Sequence, residues 1–149
     1  MRFFTSVAAA CGTLAIASPV ARDFSEEISV TDFYVHEALI NGTTEATVDG
    51  VSFLLSGENA TNLECSAQTG IPSEVFTCGD SKYRFALYPG ESSSSGFTLR
   101  LYHELGLAVG YYGAGEVPTY CRAGGGPTLV CGQTVTPVTI TIDSLPDTA

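Results

Sequence analysis

The chain has 149 residues, of which 44% are hydrophobic and only 15% charged, so it holds ample apolar material for one packed domain and is unlike a disordered chain. Acidic residues outnumber basic ones by 16 to 6, for a formal net charge of −10. That balance excludes a nucleic-acid partner, which needs cations to neutralise phosphates, and an anionic membrane surface, while it favours solubility and cationic partners.

The chain opens on a targeting segment. Met1 and Arg2 precede the apolar stretch Phe3–Ala17, and Ala15-Ile16-Ala17 forms a small-x-small cleavage site. Residues 1–17 therefore read as a signal peptide and 18–149 as a single secreted domain. The apolar run is shorter than the ~20 residues a membrane span requires. The expected product is soluble and extracellular, with no membrane partner.

Alternation, the period of a strand, recurs along the mature chain. Ile28–Glu37 is extended, and its apolar parity changes between Val30 and Phe33, which predicts a bulge there. Asn41-Gly42 and Asp49-Gly50 are hairpin-turn signals. Val51, Phe53 and Leu55 share one face, and so do Tyr83, Phe85 and Leu87, opposite Arg84. Gly79-Asp80, Pro89-Gly90 and Ser92–Ser95 mark loops. In Phe97–Leu105 the residues Phe97, Leu99, Leu101, His103 and Leu105 face one way, and Thr98, Arg100, Tyr102 and Glu104 the other. Gly106–Gly115 reads equally as a bulged strand or a loop. Gly124-Gly125-Gly126-Pro127 is a turn, and Val138, Ile140 and Ile142 alternate with Thr139 and Thr141. The fold class is all-β, a single-domain antiparallel barrel with a sandwich as the alternative. Closure would remove the edges that such a chain must otherwise protect.

Cys11 leaves with the signal, and Cys65, Cys78, Cys121 and Cys131 remain. An even count in a short exported chain implies disulfides. Three pairings exist on paper. The order suggests two local staples, Cys65–Cys78 and Cys121–Cys131, each contributing about 2–4 kcal/mol. A zinc site is set aside because no two cysteines stand at knuckle spacing.

Tyr120-Cys121-Arg122-Ala123-Gly124-Gly125-Gly126-Pro127, ending in Val130-Cys131, resembles the signature of the Alternaria major allergen family of small secreted fungal proteins. Glu64-Cys65-Ser66-Ala67-Gln68 and Phe76-Thr77-Cys78-Gly79 resemble its earlier cysteine segments, in the same order. The resemblance spans about Ile28 to Ile142. It implies a β-barrel with local disulfides at Cys65–Cys78 and Cys121–Cys131, and an allergen, effector or elicitor without established catalytic machinery. Some members dimerise through an extra cysteine near the mature N-terminus. This chain has none in Ser18–Glu37, which leaves a monomer or a non-covalent dimer.

Little here points to catalysis. His36 and His103 are each followed by a glutamate, Glu37 and Glu104, but neighbours in a strand face opposite ways, so neither pair forms a dyad. His103 reads as a satisfied interior histidine. Asp32, Glu64 and Asp80 are the candidates for paired carboxylates in a hydrolase, the least favoured reading. No cofactor or metal is expected. Asn41-Gly42-Thr43 and Asn59-Ala60-Thr61 are glycosylation sequons.

The favoured function is binding a host (plant) or matrix extracellular protein, and the alternative is carriage of a small apolar ligand in a barrel or dimer-interface cavity. Tyr111, Tyr112, Tyr120 and Arg122 form the candidate binding surface, because tyrosine offers amphipathic contact area. The plainer reading packs these rings on the barrel wall and pairs Arg122 with a local carboxylate or loop carbonyls.

Overall fold

The computed structural model describes residues 24–41, 45–68, 71, 74–91 and 96–144. The signal peptide, Cys11 and Ser92–Ser95 lie outside the described residues. Among the described residues nine strands run in chain order: β1 (Ser25–Leu39), β2 (Ala46–Gly57), β3 (Ala60–Ala67), β4 (Phe76–Thr77), β5 (Tyr83–Pro89), β6 (Gly96–Gly106), β7 (Val109–Ala123), β8 (Thr128–Gln133) and β9 (Val138–Asp143). All pairings are antiparallel, in the order β3-β2-β1-β8-β7-β6-β5-β4. Strand β9 pairs with the first half of β1 and touches β7, while β8 fills the space between the second half of β1 and the end of β7. The long strands β1 and β7 thus have two short partners each in place of one.

The path ends at β3 and β4, which approach one another without a ladder. Cys65 of β3 and Cys78, one residue beyond β4, are bonded across that seam with their Cα atoms 4.4 Å apart. A covalent bond therefore holds together edges that hydrogen bonds do not. The second disulfide, Cys121–Cys131, links residues that already oppose one another in the β7–β8 ladder.

The inward face is aromatic at its centre. Phe53 meets Phe85 edge-on at 5.0 Å, Phe33 lies 6.0 Å from Phe53, and Phe76 lies 5.5 Å from Phe85. Ile28, Val30, Val35, Leu55, Leu87, Leu99, Leu101, Ile140 and Ile142 complete a fully buried core. Side chains fill the space the sheet encloses, and no ladder between β3 and β4 closes that sheet into a full barrel.

The β1 bulge falls where the parity change places it. Register shifts between Thr31 and Tyr34, and Asp32 adopts φ 52°. Gln133 braces the bulge: its Oε1 accepts from the Phe33 N–H at 3.0 Å, and its Nε2 donates to the Val30 carbonyl at 3.0 Å.

Two expectations are corrected. Asp49-Gly50 is no turn; it lies within β2, where Gly50 opposes His36 and Asp49 is the extra residue of a bulge. The Asp49 carboxylate bonds the His36 ring, so the pair settles mid-strand. Leu105 does not face the core but is 41% exposed, because the register slips between Glu104 and Gly106 and breaks the alternation. Of the two readings open for Gly106–Gly115, the bulged strand holds: β6 and β7 are joined by Leu107-Ala108, with Ala108 at φ 58°. Gly113 and Gly115 suit this strand because a Cβ there would collide with the Thr141 carbonyl and the Ile140 side chain of β9.

Candidate functional site

One end of the sheet contains a buried polar cluster. Glu26 shares the inward face of β1 with Ile28 and Val30, and its side chain is fully buried. Its Oε1 accepts from the Tyr83 hydroxyl at 2.6 Å and from the Glu58 N–H at 2.7 Å. Its Oε2 lies 2.6 Å from Nδ1 of His103, itself 2% exposed. The Tyr83 hydroxyl also accepts from the Asn59 N–H at 3.1 Å, and the Tyr83 ring stacks on the His103 ring at 4.0 Å. Burial, reinforced by the bond to Glu26, pushes the Tyr83 phenol well above the usual tyrosine range. The cluster ties β1, the β2–β3 turn, β5 and β6 to one carboxylate. Among the described residues no buried side-chain polar atom lacks a partner.

His103 is thus an interior histidine with a satisfied partner. It borders an open hollow of about 690 Å³, lined also by Val75, Arg84, Tyr111 and Tyr112, and among the described residues of its wall there is no serine, threonine or cysteine. Glu104 points outward and pairs with Arg84 at 2.7 Å. Asp32, Glu64 and Asp80 are exposed on β1, on β3 and after Cys78, and no hydrogen bond joins any two of them. Sequence reasoning missed Glu26, although its place two residues before Ile28 was signal enough.

A metal fares no better. Glu37 lies close to the sulfurs of Cys121 and Cys131, but the disulfide engages both sulfurs. Burial raises the Glu37 carboxyl above the usual carboxylate range.

The candidate binding residues divide between two places on β7. Tyr111 and Tyr112 are half-buried at the hollow, and Tyr111 packs against the core. Tyr120 and Arg122 lie at the other end of the strand, and both are exposed, Tyr120 by 71%. Arg122 forms no ion pair with a carboxylate among the described residues. Asn41 and Asn59 are both exposed in turns.

An apolar tip closes the hollow end. Leu107 is wholly exposed, Val109 is 62% exposed, and Val75, which shares the hollow with Val109, is 52% exposed. No charged residue occurs between Leu105 and Tyr112.

Comparison with known proteins places these features in a family. The family model for Alternaria alternata allergen 1 matches residues 30–131. A protein named Effector protein PevD1, from Verticillium dahliae, is 46% identical over 158 residues, covering 99% of this chain and 97% of its own. Two crystal structures of the Alternaria alternata allergen Alt a 1 superpose with TM-scores of 0.59 and 0.58, at 27% and 29% identity. They cover 89% and 85% of this chain and 99% and 98% of theirs.

Proposed function

We propose that this chain, which belongs to the Alternaria alternata allergen 1 family, is a secreted, non-enzymatic effector that binds an extracellular host protein. The observation that carries this reading is the β6–β7 tip. A fully exposed leucine on a two-residue turn, flanked by exposed Val109 and Leu105, serves no packing purpose in the isolated chain. Ala108 holds a positive φ that asparagine or glycine would adopt more readily, so the tip retains an apolar residue at a conformational cost. Such a tip suits insertion into an apolar pocket of a partner, and the net charge of −10 suits a basic one.

The similarity to an effector and to allergens supports elicitor or allergen behaviour. Release outside the cell fits the leader and the two disulfides. The hollow beside the tip supports a second reading, carriage of a small apolar molecule against Tyr111 and Tyr112. The deciding experiment infiltrates leaves with oxidised wild-type protein and with Leu107→Asp. The expected result is loss of the host response with an unchanged circular dichroism spectrum. A response of equal strength from both proteins refutes the tip as the anchor.

A further inference from the structure

The outer face opposite the hollow end carries a second site. Tyr34 of β1 and Tyr120 of β7 both stand opposite Gly132 of the intervening β8. The three residues form one row across the sheet. With strands about 4.8 Å apart, the two tyrosine Cα atoms are roughly 10 Å apart, with glycine between. A side chain at Gly132 would meet nothing within 4 Å, so packing does not demand the glycine. Its effect is to leave bare floor between two exposed rings, 41% and 71% accessible.

The row lies in a trough. One hollow of about 260 Å³ is lined by Tyr34, Tyr120, Arg122, Val130, Gly132 and Thr134. A second, of about 330 Å³, adjoins it through Tyr34 and Gln133 and reaches Asp32. Arg122 and Asp32 stand toward opposite ends, and neither makes an ion pair among the described residues. Among the described residues the trough thus offers two exposed ring faces, one carboxylate acceptor and one guanidinium donor, and Val130 is the one aliphatic side chain in its lining.

We propose that this trough binds an extended β-linked glycan, a flat ribbon of the cellulose or chitin type. A pyranose ring has a C–H face that stacks on an aromatic ring and a rim of hydroxyls that bond charged groups. The spacing of roughly 10 Å between the tyrosines corresponds to one disaccharide of such a ribbon, so alternate sugars stack while the intervening one passes over Gly132. A protein hot spot wants a dry apolar centre, and this centre is bare glycine backbone. A nucleic acid is repelled by the net charge of −10. The site is separate from the β6–β7 tip and does not depend on the function proposed for it.

The test is calorimetric titration of the oxidised full-length secreted protein with cellohexaose and chitohexaose, with the coiled α-linked maltohexaose as control. The expected result is binding to at least one ribbon glycan and not to maltohexaose. Tyr34→Ala and Tyr120→Ala should each weaken it by about five- to tenfold, from the stacking lost. Tyr120→Phe should retain binding, Gly132→Val should abolish it by filling the floor, and Leu107→Asp should leave it unchanged. Thermal unfolding of each variant checks the fold, and Gly132→Val is a β-branched residue in open space on a strand, so it should fold. Three results overturn the proposal: no binding to either ribbon glycan, binding indifferent to Tyr34, Tyr120 and Gly132, or protection of Tyr120 by a host protein alone.

Discussion

Replacing Glu26 with alanine tests whether the buried cluster holds the sheet together. The substitution deprives the Tyr83 hydroxyl and Nδ1 of His103, both buried, of their shared acceptor, and the Glu58 N–H of its own. Each stranded buried donor costs about 1–3 kcal/mol. The Glu58 N–H lies at an exposed turn and is rehydrated, so it adds little. The expected loss is about 4 kcal/mol, a large share of the roughly 5–15 kcal/mol that stabilises a domain. Glu26→Gln retains an acceptor for Tyr83 and Glu58 and turns an amide toward His103, which accepts as a neutral tautomer. It should cost about 1–2 kcal/mol. Urea unfolding without reductant, followed by tyrosine fluorescence, measures both. Adding His103→Leu to Glu26→Ala should restore part of the loss, since an apolar pair replaces a broken polar one. A Glu26→Ala protein within about 1 kcal/mol of wild type would refute the reasoning, because two buried donors would then be losing their acceptor at almost no cost.

Further outcomes follow from other particulars. Tyr83 should ionise only as the chain unfolds: its folded pKa is raised, so its contribution is complete below about pH 10, the unfolded value, and is lost as pH rises further. Alkaline unfolding monitored at the phenolate absorbance, compared with Tyr83→Phe, checks this; an identical pH midpoint for the two would contradict it. Gly57→Ala should destabilise by about 2 kcal/mol through overpacking, since its Cβ would overlap Glu26 Oε1 and lie 2.6 Å from Ile28 Cδ1, as denaturant midpoints would show. Replacing Cys65 and Cys78 by alanine should cost about 3 kcal/mol and accelerate hydrogen exchange chiefly in β3 and β4. The same change at Cys121 and Cys131 should leave β7 and β8 protected, because their ladder remains. Glu37→Gln should raise stability at neutral pH relative to pH 3, since the raised folded pKa favours the protonated carboxyl and its contribution is lost as pH rises.

Strands whose inner residues alternate without interruption were legible from the chain. Val51–Leu55 and Val138–Ile142 each turn one parity inward, and Tyr83–Leu87 does so with the small Ala86 buried as well, so β structure follows from the alternation. The reading failed where tertiary contacts override local chemistry. Asp49-Gly50 has the composition of a turn, yet β1 runs past it and His36 captures the aspartate. Leu105 continues the apolar parity of β6, yet the bulge at the rim turns it outward. Strand β3 has the inner pattern Leu63, Cys65, Ala67, too small and too short to stand out beside its polar neighbours. For the candidate sites, the sequence names Tyr120 and Arg122, but their neighbour Tyr34 is 86 positions away and becomes adjacent only through the register of β8.

The position of Gln133 connects the interior to the outer surface. Its side chain spends all three of its bonds on backbone: the Phe33 N–H, the Val30 carbonyl and the Val135 carbonyl. Those bonds hold the Asp32 bulge, and the bulge decides which side of β1 Tyr34 occupies, because one inserted residue exchanges the two faces of a strand. Phe33 enters the core and Tyr34 faces solvent beside Gly132 for this reason. Closing the bulge would return Tyr34 to the interior, where its hydroxyl would need a partner, and would dismantle the aromatic row. The outer site is therefore a consequence of the same register that packs Phe33 against Phe53 and Phe97.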